Sequence, residues 1–132
     1  MEQKNEKKDE YIFSFEKLEV WQSAVDLADF TLNLMESFPA NRCYRIVGQM
    51  ETAVSSVAQH IAEGKGRQQK KEFINCLYSA KGSIGEVLTL TRILTRRGLV
   101  NPQEEMKIKG QAEIVERKLY GLINFLKGRT DN

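Results

Sequence analysis

The chain has 132 residues, 41% hydrophobic and 29% charged, with two cysteines and a net charge of +2. A single domain of this size buries about two-thirds of its unfolded surface, enough for one core without metal or disulfide staples, and the composition excludes a wholly disordered chain. No apolar run approaches the roughly 20 residues that span a bilayer, and the charged start lacks the apolar segment of a signal peptide, so a cytoplasmic protein is expected.

The charge is unevenly placed. Residues 16–36 carry five acids and one base, whereas residues 65–97 carry eight bases and two acids. Such a dipolar chain can bind polyanions or pair one subunit with another.

Residues 1–10 are almost wholly polar and read as a disordered tail; residues 11–132 read as one domain. Tyr11, Ile12, Phe13 and Phe15 form an apolar lead-in expected to pack on the body. A first helix is predicted over 19–37. Trp21, Val25, Ala28, Leu32 and Met35 make one apolar row, and Val20, Ala24, Leu27, Thr31 and Leu34 make another beside it. Two adjacent rows give a wider face than a single seam requires. Pro39 ends this helix, because the residue before a proline avoids helical geometry.

A second helix is predicted over 41–63, capped by Asn41, with Cys43, Val47, Met50, Val54, Val57 and Ile61 as its seam. Gly64 is expected to stop it in the left-handed conformation. The run Gly64-Lys65-Gly66-Arg67 lacks the spacing of a Walker loop and is read as a helix stop and turn. A third helix, 69–97, buries Leu77, Ala80, Ile84, Val87, Thr91 and Leu94, and Gly98 closes it. Asn101 and Pro102 open a fourth helix as cap and first residue, with the seam Ile108, Ala112, Val115, Leu119, Leu122 and Leu126, and Gly128 ends it. Four amphipathic helices on short loops predict an all-α, antiparallel up-down-up-down four-helix bundle.

Catalytic signals are absent. His60 is the only histidine, placed at the edge of a seam, and no HxxxH or ExxH spacing accompanies it. No enzyme, cofactor or metal site is expected, and Cys43 and Cys76 are expected to be reduced, buried thiols. Binding candidates are the bases at the two ends of the third helix: Lys65, Arg67, Lys70 and Lys71, then Arg92, Arg96 and Arg97. Gly82, Ser83 and Gly85 lie mid-helix, where each glycine costs about 1 kcal/mol of helix propensity, and this points to tight packing against a helix or subunit. Trp21, Gly82, Ser83 and Glu86 are the candidate subunit contacts.

The pieces Phe15-Glu16-Lys17-Leu18-Glu19-Val20-Trp21-Gln22, Ser56, Ile61-Ala62-Glu63-Gly64-Lys65-Gly66-Arg67, Glu72-Phe73 and Ala80-Lys81-Gly82-Ser83 with Glu86 occur in this order. In these the chain resembles the bacterial four-helix-bundle family of 23S rRNA intervening-sequence proteins, from about residue 15 to 126. The resemblance implies a homo-oligomeric ring, a pentamer, with no catalytic residues. A related family, the accessory proteins of diversity-generating retroelements, implies binding of nucleic acid or a polymerase. Where many members carry two arginines after the glutamine at Gln49, this chain has Glu51 and Thr52, so a contact made by those arginines is absent here. Two functions are expected as alternatives. One is a basic oligomer that binds RNA or DNA. The other is a protein-interaction scaffold whose bases serve subunit pairing.

Overall fold

The computed structural model describes residues 10–128. The expected disordered tail therefore lies outside the described residues, except for Glu10. A short 3-10 turn, Ser14–Lys17, precedes four helices: α1 (Glu19–Met35), α2 (Tyr44–Lys65), α3 (Lys70–Arg96) and α4 (Pro102–Leu126). Each helix packs on its two neighbours in the cycle α1-α2-α3-α4-α1, and the diagonal pairs do not meet, so the helices stand at the corners of a square. This is the four-helix bundle that the periodicity predicts.

The α3 seam is buried at all six predicted positions; in α2 Met50, Val54, Val57 and Ile61 are buried, while Cys43 and Val47 at its start are half-buried. Each fully buried Leu, Ile, Val or Met contributes about 1.5–3 kcal/mol of transfer free energy. In α4 the seam is followed through Ile108, Ala112, Val115 and Leu119 and then shifts to Ile123, leaving Leu122 and Leu126 half-buried. A straight helix of 3.6 residues per turn drifts out of a strict 3.5-residue repeat in this way. In α1 the core takes Val20, Ala24, Leu27, Thr31 and Met35. The other row is peripheral, with Val25 exposed and Trp21, Ala28 and Leu32 half-buried.

The helix ends follow local chemistry in α3 and α4. Gly98 takes φ +81°, and the amides of Gly98 and Leu99 bond back to Thr95 and Leu94. The side chain of Asn101 accepts from the Glu104 amide at 2.8 Å while Glu104 accepts from the Asn101 amide at 2.9 Å, a reciprocal capping box.

Two expectations are corrected at α2. Asn41 is not its cap: the helix begins at Tyr44 after Cys43, which adopts the left-handed conformation at φ 55° and places Asn41 in the preceding turn. Gly64 is not a left-handed stop. It is buried inside α2, which continues to Lys65, and a Cβ added there would lie 2.7 Å from the Cys76 Cβ and 2.8 Å from Phe73 Cδ1. The glycine serves the close approach of α2 and α3 rather than a turn. Cys43 and Cys76 are free, as expected, but half-buried rather than fully buried.

Candidate functional site

The expected basic residues divide by what surrounds them. Around the start of α3, Arg67 is tied to Glu63, one helical turn back, at 2.6 Å. That hydrogen bond, with the carboxylate charge behind it, raises the guanidinium pKa above its ordinary value. Lys65 sits 6.0 Å from the centre of the Phe73 ring. Lys70 and Lys71 begin α3 and are exposed, with no ion pair among the described residues.

Lys70 and Lys71 are joined by Lys127, a residue the sequence reading did not select. It lies 56 positions further along the chain than Lys71, and α4 brings it back beside α3. These three lysines, with Ile74, Asn75, Tyr78 and Leu126, line an open cleft of about 750 Å³, and among the described residues no acid lines it. Lys127 Nζ donates to the Tyr78 hydroxyl at 2.8 Å and lies 5.1 Å from the ring centre. Three ammonium groups, an amide and a phenol ring share one surface here. The cleft can therefore meet phosphate oxygens with charge, and an aromatic face or a polar edge with Tyr78 and Asn75.

At the other end of α3 the bases serve the fold. Arg92 Nε donates to Glu105 Oε2 at 2.7 Å, and the Glu105 side chain is only 11% exposed. The Arg92 hydrogen bond holds the Glu105 carboxyl below its ordinary pKa, against the opposing effect of burial. Arg42 Nη2 donates to the Arg97 carbonyl at 2.9 Å and ties the α1–α2 loop to the end of α3. Arg96 and the Arg97 side chain are exposed. The two ends of a 27-residue helix are about 40 Å apart, so one monomer does not unite the clusters.

The expected subunit contacts separate as well. Trp21 is half-buried and covered edge-on by Phe15 at 5.1 Å. Ser83 faces inward, its hydroxyl 2.7 Å from that of Ser56. Gly82, Gly85 and Glu86 are exposed, and a Cβ at either glycine would meet nothing within 4 Å. Tight packing against a helix of the same chain is therefore not what these glycines provide. Gly85 and Glu86 instead border an open groove of about 740 Å³ with Gln49, Thr52, Ala53 and Ser56 of α2. Glu51 and Thr52, at the positions where the resemblance places arginines, are exposed on α2.

His60 is half-buried, 3.9 Å from Glu63. Among the described residues no group of three or more His, Cys, Asp or Glu could hold a metal ion, and no helix is long and apolar enough to cross a membrane.

The family model described as 23S rRNA-intervening sequence protein matches residues 16–121. Among solved structures, a protein of unknown function from the S23 ribosomal protein family of Bacteroides thetaiotaomicron superposes with a TM-score of 0.72 at 21% identity, covering 79% of this chain and 97% of that one. At that identity the likeness concerns the fold. None of the curated proteins matches the chain.

Proposed function

Because the chain belongs to the 23S rRNA-intervening sequence protein family, we propose that it is a non-catalytic, self-assembling cytoplasmic bundle that binds RNA or DNA through the lysine cleft at the start of α3. The observation that carries this reading is the convergence of Lys70, Lys71 and Lys127 on one open surface without a neutralising carboxylate among the described residues of its walls. Of the other candidate bases, Arg67 has Glu63 and Arg92 has Glu105, while Arg96 and Arg97 stand exposed at the far end of α3. An unneutralised basic cleft gains by releasing the counterions of a phosphate backbone. Tyr78 and Asn75 in the same cleft suit unpaired nucleotides, which offer faces and edges as well as phosphates.

The test is a fluorescence-anisotropy titration with generic single-stranded RNA and DNA at two salt concentrations. Three phosphate contacts predict that a fourfold rise in salt weakens binding about twentyfold. The variant Lys70→Glu, Lys71→Glu, Lys127→Glu should abolish binding while Arg67→Gln leaves most of it. Absence of binding at low salt would overturn the reading in favour of a protein-interaction scaffold.

A further inference from the structure

The groove between α2 and α3 offers almost only one kind of hydrogen-bonding group. Its polar walls are Gln49, Thr52 and Ser56 of α2 with Glu86 and Thr89 of α3. The Thr52 hydroxyl donates to the Gly48 carbonyl at 3.3 Å, and the Thr89 hydroxyl donates to the Gly85 carbonyl at 2.8 Å. Ser56 is held by the Ala53 carbonyl and the Ser83 hydroxyl. A hydroxyl has one hydrogen and two lone pairs, so a threonine that bonds back to its own helix presents only acceptors to whatever lies in front of it. A carboxylate is acceptor-only as well. Among the described residues, the Gln49 amide is the one side-chain donor left in these walls.

Charge and shape narrow the ligand further. Among the described residues Glu86 is the only charged group lining the groove, and it is exposed with no ion pair. Ala53 and Leu90 form apolar ground beside Gly85, where an added Cβ would meet nothing within 4 Å. A flat group can therefore lie close to the α3 backbone at this point.

The complement of these walls carries positive charge, several donors and no acceptor. A guanidinium meets each demand: it has five N–H donors in a rigid plane, a permanent charge, and hydration weak enough for its face to rest on apolar atoms. An ammonium brings three donors from a single point, which suits a compact site better than acceptors spread over two helices. A free amino acid would also bring its own carboxylate, and among the described residues no base lines the groove to receive it. An arginine within a polypeptide carries no such group.

We propose that the α2–α3 groove takes an arginine side chain from a partner protein, with the guanidinium on Glu86 and the methylene stem along Leu90 and Ala53. Glu86 lies about 24 Å along α3 from Lys70, and its carboxylate repels the phosphates that the lysine cleft attracts. The two surfaces do not compete, and the groove stands whether or not the cleft binds nucleic acid.

An amide chemical-shift titration of the isotope-labelled full chain tests this, with a capped Gly-Arg-Gly peptide as probe and capped Gly-Lys-Gly as its control. The expected result is saturable shifts at Thr52, Gly85, Glu86 and Thr89, with a dissociation constant on the order of millimolar for a single side chain. Glu86→Gln should weaken binding about tenfold while keeping the parent's helical circular dichroism, and the lysine peptide should bind the parent several times more weakly. Asp26→Asn, an exposed change on α1, should leave the affinity where it is. No saturable shift, or undiminished affinity in Glu86→Gln, would sink the site. Equal affinity for the lysine peptide would remove the guanidinium as its ligand. Light scattering then decides the source. An unchanged mass for Glu86→Gln supports a partner protein, whereas an oligomeric parent that the change turns into monomers would mean that another copy fills the groove and would overturn the proposal.

Discussion

The two ends of α3 carry the same sign of charge and use it differently. At its C-terminal end Arg92 reaches a carboxylate that the core has nearly enclosed, and Arg42 is spent on a backbone carbonyl. At its N-terminal end Lys70 and Lys71 share a cleft with a third lysine, and among the described residues no acid lines that cleft. The difference comes from what the neighbouring helices bring to each end. The first turn of α4, with Glu104 and Glu105, lies beside the end of α3, while the last turn of α4 brings Lys127 beside its start. At one end the base nearest the core is thus paired and helps hold the fold, while Arg96 and Arg97 stay exposed. The other keeps a charge that a ligand can neutralise.

The largest expected effect concerns the N-terminal end, where Gly64 lets α2 approach α3 closely. Gly64→Leu forces a side chain against Cys76 and Phe73 and should cost about 3 kcal/mol, read as a lowered urea midpoint. An unchanged midpoint would mean that the two helices separate without loss.

Next comes the end that holds the Arg92 pair. Arg92→Met leaves Glu105 nearly buried without its donor and should cost about 1–2 kcal/mol by the same measurement. The pH dependence sharpens this. Glu105 has its pKa held below the ordinary 4.5 by Arg92. Its contribution is therefore complete above the unfolded-state pKa and is lost as pH falls through the lower folded-state value. Stability of the parent should fall across that acid window, and Arg92→Met should flatten the fall; equal slopes would remove the pair from the account.

The Asn101→Ala change deletes the α4 cap at the same end and should cost about 1 kcal/mol. The smallest effect separates the two ends again. The Arg67–Glu63 pair is as short as Arg92–Glu105, 2.6 against 2.7 Å, but both of its side chains are about half exposed. Water screens such a pair, so Arg67→Gln should leave the urea midpoint where it is. A loss as large as that of Arg92→Met would mean that distance, not burial, sets the worth of these pairs.

Much of this was readable along the chain. Apolar spacing located four helices to within a few residues, because a helix presents the same face every three to four positions whatever it packs on. Asn101, Pro102, Gly98 and Gly128 marked their boundaries because caps act within one turn. The cap of α2 was misplaced because a left-handed Cys43 leaves no trace in a sequence where glycine or asparagine would be the expected sign. In the candidate site, Lys70 and Lys71 were visible as a charge cluster, whereas Lys127 was not, since only the return of α4 places it there.

The sequence by itself determined the number of helices, most of their ends and which face of α2, α3 and α4 is apolar, since these follow from interactions between residues at most four apart. The tertiary structure decided which of two apolar rows of α1 enters the core, why residue 64 must lack a side chain, and which bases keep their charge unpaired. Those outcomes depend on groups that meet across the bundle from distant parts of the chain, and the space between two helices is known only when both are in place.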